Sequence, residues 1–302
     1  MTKRKQTGKK HKKKAKQKKK PTKKAGKKPS AAADGDFTVV KRCRDGPMAF
    51  NRNDIYVGRS LDLYGEYSEG EAKVFRELVQ PGWTALDVGA NVGAFTVTMA
   101  KAVGPTGTVV AFEPQPVVFR MLRASVALNK LANVECRHAA VGRRKGKITV
   151  PLIDPRAAYN FGGVALGDQG QGKGADGERR KTKRRKVDVV TLDGLKLTAC
   201  HFVKIDVEGM EQDVIAGARR TIGRFRPLLY VENDRAEKAV GLIRAIDGLG
   251  YKMFWHAAPL FNPNNFAGNR ENVFGRIVSI NMLCVPAELN PRVSGMPPVA
   301  VP

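Results

Sequence analysis

The chain has 302 residues, 42% of them hydrophobic, and its 54 Lys and Arg against 28 Asp and Glu give a net charge of +26. That length suits one large domain, or one domain with unstructured ends. No run nears the roughly 18 apolar residues of a membrane span. The scattered Cys43, Cys136, Cys200 and Cys284, with no C-x-x-C pair, read as reduced thiols of a cytosolic protein.

The charge is unevenly placed. Residues 1–30 hold 16 Lys and Arg and no acid, and "RRKTKRRK" at 179–186 holds 7 more. The rest of the chain, with 31 bases against 28 acids, is nearly neutral. A Lys-rich segment with little to bury cannot offset its ordering entropy, so residues 1–36 read as a disordered tail. No apolar segment follows the basic stretch, which argues against a secretory signal. Residues 1–30 and 179–186 are candidates for non-specific nucleic-acid binding.

Residues 37–82 form a lead-in. Short β-prone pieces flank Asp45-Gly46-Pro47, and "EGEAKVFRELV" at 69–79 has helical spacing ended by Pro81-Gly82. From 83 to 287, strands and helices alternate. Strands are expected at 84–89, 107–114, 133–141, 201–209, 226–233, 251–255 and 279–286, with helices at 92–103, 116–129, 210–221 and 235–248. The repeat implies an α/β fold with a seven-stranded, mostly parallel sheet covered by helices on both faces. The last two strands have no helix between them and should pair antiparallel. The strand ending at Trp255 is expected to run parallel to its neighbours. Two segments interrupt the rhythm: 154–186, a Gly-rich and basic insertion mobile over about 167–186, and 256–277, an Asn-rich aromatic loop that reads as functional. Residues 288–302 read as a C-terminal tail.

"LDVGANVGAF" at 86–95 is a strand running into a tight turn and a helix. A dinucleotide site would place G-x-G-x-x-G there for its pyrophosphate. Here the spacing is Gly89-x-Asn91-x-Gly93, with Asp87 just ahead of it. A carboxylate so near the corner repels a pyrophosphate and welcomes an ammonium or sulfonium group. Glu113 ends the next strand, where an acid accepts hydrogen bonds from both hydroxyls of a ribose. S-adenosylmethionine, a nucleoside with positive charge and no phosphate, meets both demands, and a dinucleotide is the competing ligand.

Further blocks follow in order: "VVAFEPQP" at 109–116, "AAVG" at 139–142, "VDVVTLD" at 187–193, "VKIDVEGMEQDVIAGA" at 203–218 and "RPLLYVEN" at 226–233. Together with "ALDVGANVGAFT" at 85–96, they resemble the FkbM-type S-adenosylmethionine-dependent methyltransferases, over roughly residues 64–286. "KIDVEGME" is the most specific piece. The resemblance implies a class I, Rossmann-like fold behind a short β/α lead-in. It implies S-adenosyl-L-methionine bound by Asp87, Gly89, Asn91, Gly93, Glu113, Ala140 and Asp206, and methylation of a hydroxyl on a small molecule or glycan. It does not cover the Lys-rich tail or the 167–186 insertion.

In a parallel sheet the ligand sits beyond the carboxyl ends of the strands. Asp206 and Glu208 leave one strand there, and Glu232 and Asn233 end the next. One reading has Asp206 and Glu232, with Asn233, hold a divalent metal that lowers the pKa of an acceptor hydroxyl. The reading we expect needs no metal: Asp206 binds the cofactor's ammonium and Glu208 caps the following helix. Asp206, Glu232 and His256 are the candidate catalytic groups, His256 because it opens the Asn-rich loop. His201 starts its strand, roughly 17 Å below Asp206 at about 3.3 Å per residue, and is structural. His138 is placed beside the adenine.

Glu208, Asn233, Asn262 and Asn265 are assigned to the acceptor. The loop amides suit a polyhydroxylated molecule, although Asn-Pro and Asn-Asn also serve turns. Tyr64, Glu66 and Tyr67 either fold over the cofactor or form a scaffold turn. Two other classes compete: an RNA 2′-hydroxyl methyltransferase using the basic tail, and a non-catalytic nucleic-acid-binding module on the same fold. The near-neutral core weighs against the first. The intact set of Asp87, Gly89, Gly93, Glu113 and Asp206 weighs against the second.

Overall fold

The computed structural model describes residues 1–2, 37–164 and 183–302. The expected tail, and the insertion up to residue 182, lie outside the described residues.

The lead-in is a hairpin of β1 (Thr38–Cys43) and β2 (Gly46–Asn51), joined at Arg44-Asp45. It is followed by α1 (Val57–Tyr64) and α2 (Glu69–Leu78). The short α1 was not expected. It ends where Gly65 takes a left-handed φ of 65°, which costs a glycine little.

The central sheet holds β3 (Thr84–Val88), β4 (Thr108–Phe112), β5 (Val134–Arg137), β9 (Phe202–Ile205), β10 (Leu228–Glu232), β11 (Tyr251–Pro259) and β12 (Val278–Pro286). Their order is β11-β12-β10-β9-β3-β4-β5. β3 pairs in parallel with β4 on one side and β9 on the other, so the chain reverses its direction of travel across the sheet at β3. A ligand crevice belongs beyond the carboxyl ends of strands at such a switch point.

The strands read as nearly continuous apolar runs because both faces are covered. Leu86, Val88, Val203, Ile205, Leu229 and Val231 pack on one face with Val214, Leu242 and Ile246, from α5 (Glu211–Ala216) and α7 (Ala236–Asp247). Ala85, Val109, Phe202 and Tyr230 pack on the other with Phe75 of α2 and Phe95 and Met99 of α3 (Ala94–Val103). A further helix, α4 (Pro116–Leu128), follows β4.

Four expectations change. The 133–141 strand is two: β5 stops at Arg137, and β6 (Ala140–Val141) joins a separate sheet with β7 (Gly146–Leu152) and β8 (Lys183–Val190), in the order β6-β8-β7. Lys183–Lys186, assigned to a mobile insertion, therefore form the start of β8. The 210–221 helix is also two, α5 and α6 (Arg219–Phe225). β11 continues to Pro259, and it pairs antiparallel with β12 as expected of the last two strands, so the expectation that it runs parallel to its neighbours fails. β12 is antiparallel to β10 as well, so β11 and β10 still run the same way. The C-terminal segment lies along β11, with Trp255 N donating to Pro297 O and Val299 N to Met253 O.

Candidate active site

The corner after β3 is built by close approach. Gly89 has φ 85°, and a Cβ there would lie 1.7 Å from the carbonyl oxygen of Asp206, so any side chain would push β9 away. Asn91 takes φ 50° and Gly93 φ 91°, turning the chain into α3. The strained Asn91 holds its own turn, its Oδ1 accepting from Val92 N at 2.8 Å. Its backbone N donates to Glu113 Oε2 at 3.0 Å, while Gln115 N donates to Oε1 at 2.7 Å. Glu113 is thus fixed at the end of β4. Burial pushes its carboxyl up to about 7, against the opposing pull of the two amides.

Asp87 sits elsewhere than expected. Its side chain is fully buried beneath the corner, where Thr96 Oγ1 donates to it at 2.6 Å and Lys204 Nζ lies 3.7 Å away. It does not line the cleft. The strand's alternation explains this, because Asp87 shares a face with Ala85 and points into the sheet-helix interface. Lys204 is the residue that sequence reasoning missed. It is 2% exposed, pairs with Asp206 at 3.0 Å and donates to Gly89 O at 3.4 Å. Burial alone would lower its pKa, but Asp206 and Asp87 outweigh that and raise it. A lysine inside the apolar run "FVKI" was the available signal.

Beyond the strand ends lies a cleft of about 300 Å³. Gly89, Asn91, Glu113, Gln115 and Ala140 line one end, and Asp206, Glu208, Glu232, Tyr67, Leu260 and Ser279 line the other. Asn160, Gly162 and Gly163, from the stretch expected to be an insertion, close over the first end. Gly162 comes so near that a Cβ would lie 2.4 Å from Asn91 Nδ2. Gln115 Nε2 is buried and has no hydrogen-bond partner among the described residues.

At the second end, single carboxylate oxygens of Asp206, Glu208 and Glu232 lie within 4.8 Å of one another. Glu208 pairs with Arg235 and is pushed up to about 7, first by burial and then by Asp206. Glu232 Oε2 is buried with no hydrogen-bond partner among the described residues. Burial, and next Asp206, raise its pKa well above the ordinary range. Three hard oxygens are what a divalent cation takes, but two of these carboxylates already have the cations Lys204 and Arg235.

Several expected residues are not in the cleft. Asn233 turns away, its N donating to Ile280 O and its Nδ2 to the sulfur of Met282 at 3.4 Å. His256 lies within β11, where its Nδ1 shares a 2.6 Å hydrogen bond with the Tyr230 hydroxyl. It does not line the cleft, and burial lowers its pKa. Asn262 Nδ2 donates to Glu66 Oε1 at 2.8 Å, and Asn265 bonds Asn262 O, Asn269 O and Asn269 N. Those amides fold the loop and tie it to Glu66, which also accepts from Phe266 N and pairs with Arg44. Tyr64 does similar work through Glu271 O and Val273 N, so of the three lead-in candidates Tyr67 alone lines the cleft. His201 accepts from Thr84 N and stacks on Trp83, and His138 stacks on Phe119.

Known proteins resemble this chain in sequence and shape. The chain is 28% identical to "Methyltransferase 1" of Beauveria bassiana (strain ARSEF 2860) over 143 residues, 44% of this chain and 57% of that protein. It thus spans little more than half the length of that curated relative. A solved structure of methyltransferase FkbM from Methylobacillus flagellatus KT superposes with a TM-score of 0.42 at 15% identity, covering 70% of this chain and 50% of that one. M. jannaschii TYW2 in complex with AdoMet gives 0.43 at 12% identity, covering 83% and 86%. The family model of the methyltransferase FkbM domain matches residues 87–253, more than half of the chain and the whole span from the Gly89 corner into β11. On that match, the chain belongs to the FkbM methyltransferase family.

Proposed function

We propose that this chain transfers the methyl group of S-adenosylmethionine to a hydroxyl oxygen of a small molecule. One observation carries the reading: a single cleft has the amide-anchored carboxylate of Glu113 at one end and the unpartnered carboxylate oxygen of Glu232 at the other. S-adenosylmethionine supplies an electrophilic methyl on a sulfonium centre. Each Glu113 oxygen keeps a lone pair for the ribose hydroxyls, and the Asn91 and Gln115 amides hold the carboxylate in place. The free Nε2 of Gln115 is a donor for a ring nitrogen beside the ribose. Asp206, steadied by Lys204, is placed to receive an ammonium group.

Glu232 is the base. It takes the proton of the acceptor hydroxyl, and its raised pKa makes it a stronger base than an ordinary carboxylate once ionised. His256 is held within β11 by the Tyr230 hydroxyl, and two of the three carboxylates a metal would need, Asp206 and Glu208, already pair with Lys204 and Arg235. The exposed Lys183–Lys186 of β8 favour a polyanion outside the cleft. A cleft lined by five acids does not favour one inside it. The test has two parts. Calorimetry should show S-adenosylmethionine binding and NAD not binding. Incubation with labelled S-adenosylmethionine and fractionated cell extract should put the label in the small-molecule fraction, and label in the RNA fraction would overturn the reading.

A further inference from the structure

The acceptor end of the cleft has two chemical halves. On one side stand Glu232, with its unpartnered oxygen, and Asp234. No Lys, Arg or His is among the described residues that line the cleft. On the other side, Ile277 and the start of β12, Val278 and Ile280, form the lip, 43%, 41% and 37% exposed. Tyr56, Val57 and Leu260 continue that apolar wall inward. Single exposed apolar residues are ordinary, but three together on the lip of a polar cleft mark a contact surface. The amides that would serve a polyhydroxylated acceptor are consumed within the 260s loop.

We infer that the acceptor is an alcohol with an apolar body and no anionic group. The inference rests on the reading of this cleft as a methyl-transfer site. An apolar body would cover Ile277, Val278 and Ile280 and gain from the area taken out of water. The acceptor's hydroxyl would reach Glu232, and an amine nearby would meet Asp234. A phosphate or carboxylate would face Glu232 with no cation left over to offset it, because Arg235 is held by Glu208 and Asp234 and Lys204 by Asp206. A sugar would set hydroxyls against the apolar lip and gain little from covering it.

The test uses the full chain saturated with S-adenosylhomocysteine, and two probes of equal length that carry the charged group beside the hydroxyl, 1-aminododecan-2-ol and 2-hydroxydodecanoate, below their aggregation concentrations. Binding read by calorimetry should favour the amino alcohol by about tenfold or more, a difference of about 1.4 kcal/mol. Methyl glucoside should not displace it. The double change Ile277→Asn with Ile280→Asn should weaken the amino alcohol by about tenfold while S-adenosylhomocysteine binds as before, which also reports that the variant is folded. Equal or tighter binding of the carboxylate, displacement by methyl glucoside, or an unaffected double variant would each overturn the inference. Failure of S-adenosylhomocysteine to bind the unaltered chain would instead overturn the methyl-transfer reading, and alcohol selectivity measured without it would still judge the lip.

Discussion

Glu113 and Glu232 are both acids at strand ends, and their partners separate them. Glu113 has two backbone amides, which fits the holding role proposed for it, whereas Glu232 has an oxygen with no hydrogen-bond partner among the described residues, which fits the proposed base. Glu232→Gln should lower kcat about 10²–10⁴-fold and leave S-adenosylhomocysteine affinity unchanged. Because Glu232 must be ionised and its pKa is raised, the wild-type rate should climb with pH along a limb above the ordinary carboxylate range, and a flat profile would count against it. Glu113→Ala should weaken S-adenosylhomocysteine by about 1.5–3 kcal/mol, the scale of hydrogen bonds to a charged group. Glu113 also bears on stability. Its folded pKa of about 7 lies above the ordinary 4.5, so its contribution is full below that lower value and is lost as pH rises through about 7. Thermal melts of the free protein should therefore show stability falling across that window, with a smaller fall in Glu113→Gln. The corner motif was legible in the sequence, but its Asp87 does not line the cleft beside it. Spacing says that an acid precedes a turn, and only the strand's facing decides that it meets Lys204 beneath the corner.

The 256–277 segment teaches the same lesson at the level of an element. Its Asn content was legible as function or as turn chemistry, and the structure spends Asn262 and Asn265 on turns and on Glu66. Asn265 is buried, and Asn265→Ala should cost about 1–3 kcal/mol, since its removal leaves buried backbone groups unsatisfied. Urea denaturation would measure this, with S-adenosylhomocysteine affinity holding steady. Strand positions and the long helices were readable because each strand is an apolar run and apolar periodicity extends along each helix, but strand lengths were not, as β9 and β11 show. The break between β5 and β6, and that between α5 and α6, were not readable. β8, which draws β6 into another sheet, is far away in sequence, and Gly217, which ends α5, is fixed by its close approach to Gly142 O.

Across the whole molecule, Asp34–Pro302 forms a compact unit by itself. Deleting residues 1–30, with their 16 Lys and Arg, should therefore leave the melting temperature and cofactor affinity unchanged and sharply reduce salt-sensitive RNA binding. A melting temperature that falls with the deletion would show that the boundary is misplaced. None of the helices among the described residues is long and apolar enough to cross a membrane. The alternation of strands and helices, the Gly89 corner, Glu113 at the next strand end and the "KIDVEGME" block determined the fold class and the family from the sequence alone, because each depends on residues near one another in the chain. The second sheet, the burial of Lys204 between Asp87 and Asp206, and the meeting of Glu232 with the Ile277–Ile280 lip were decided only by tertiary structure. Which face a side chain takes, and which distant partner then satisfies or abandons it, depends on packing across the sheet, and no local spacing records that.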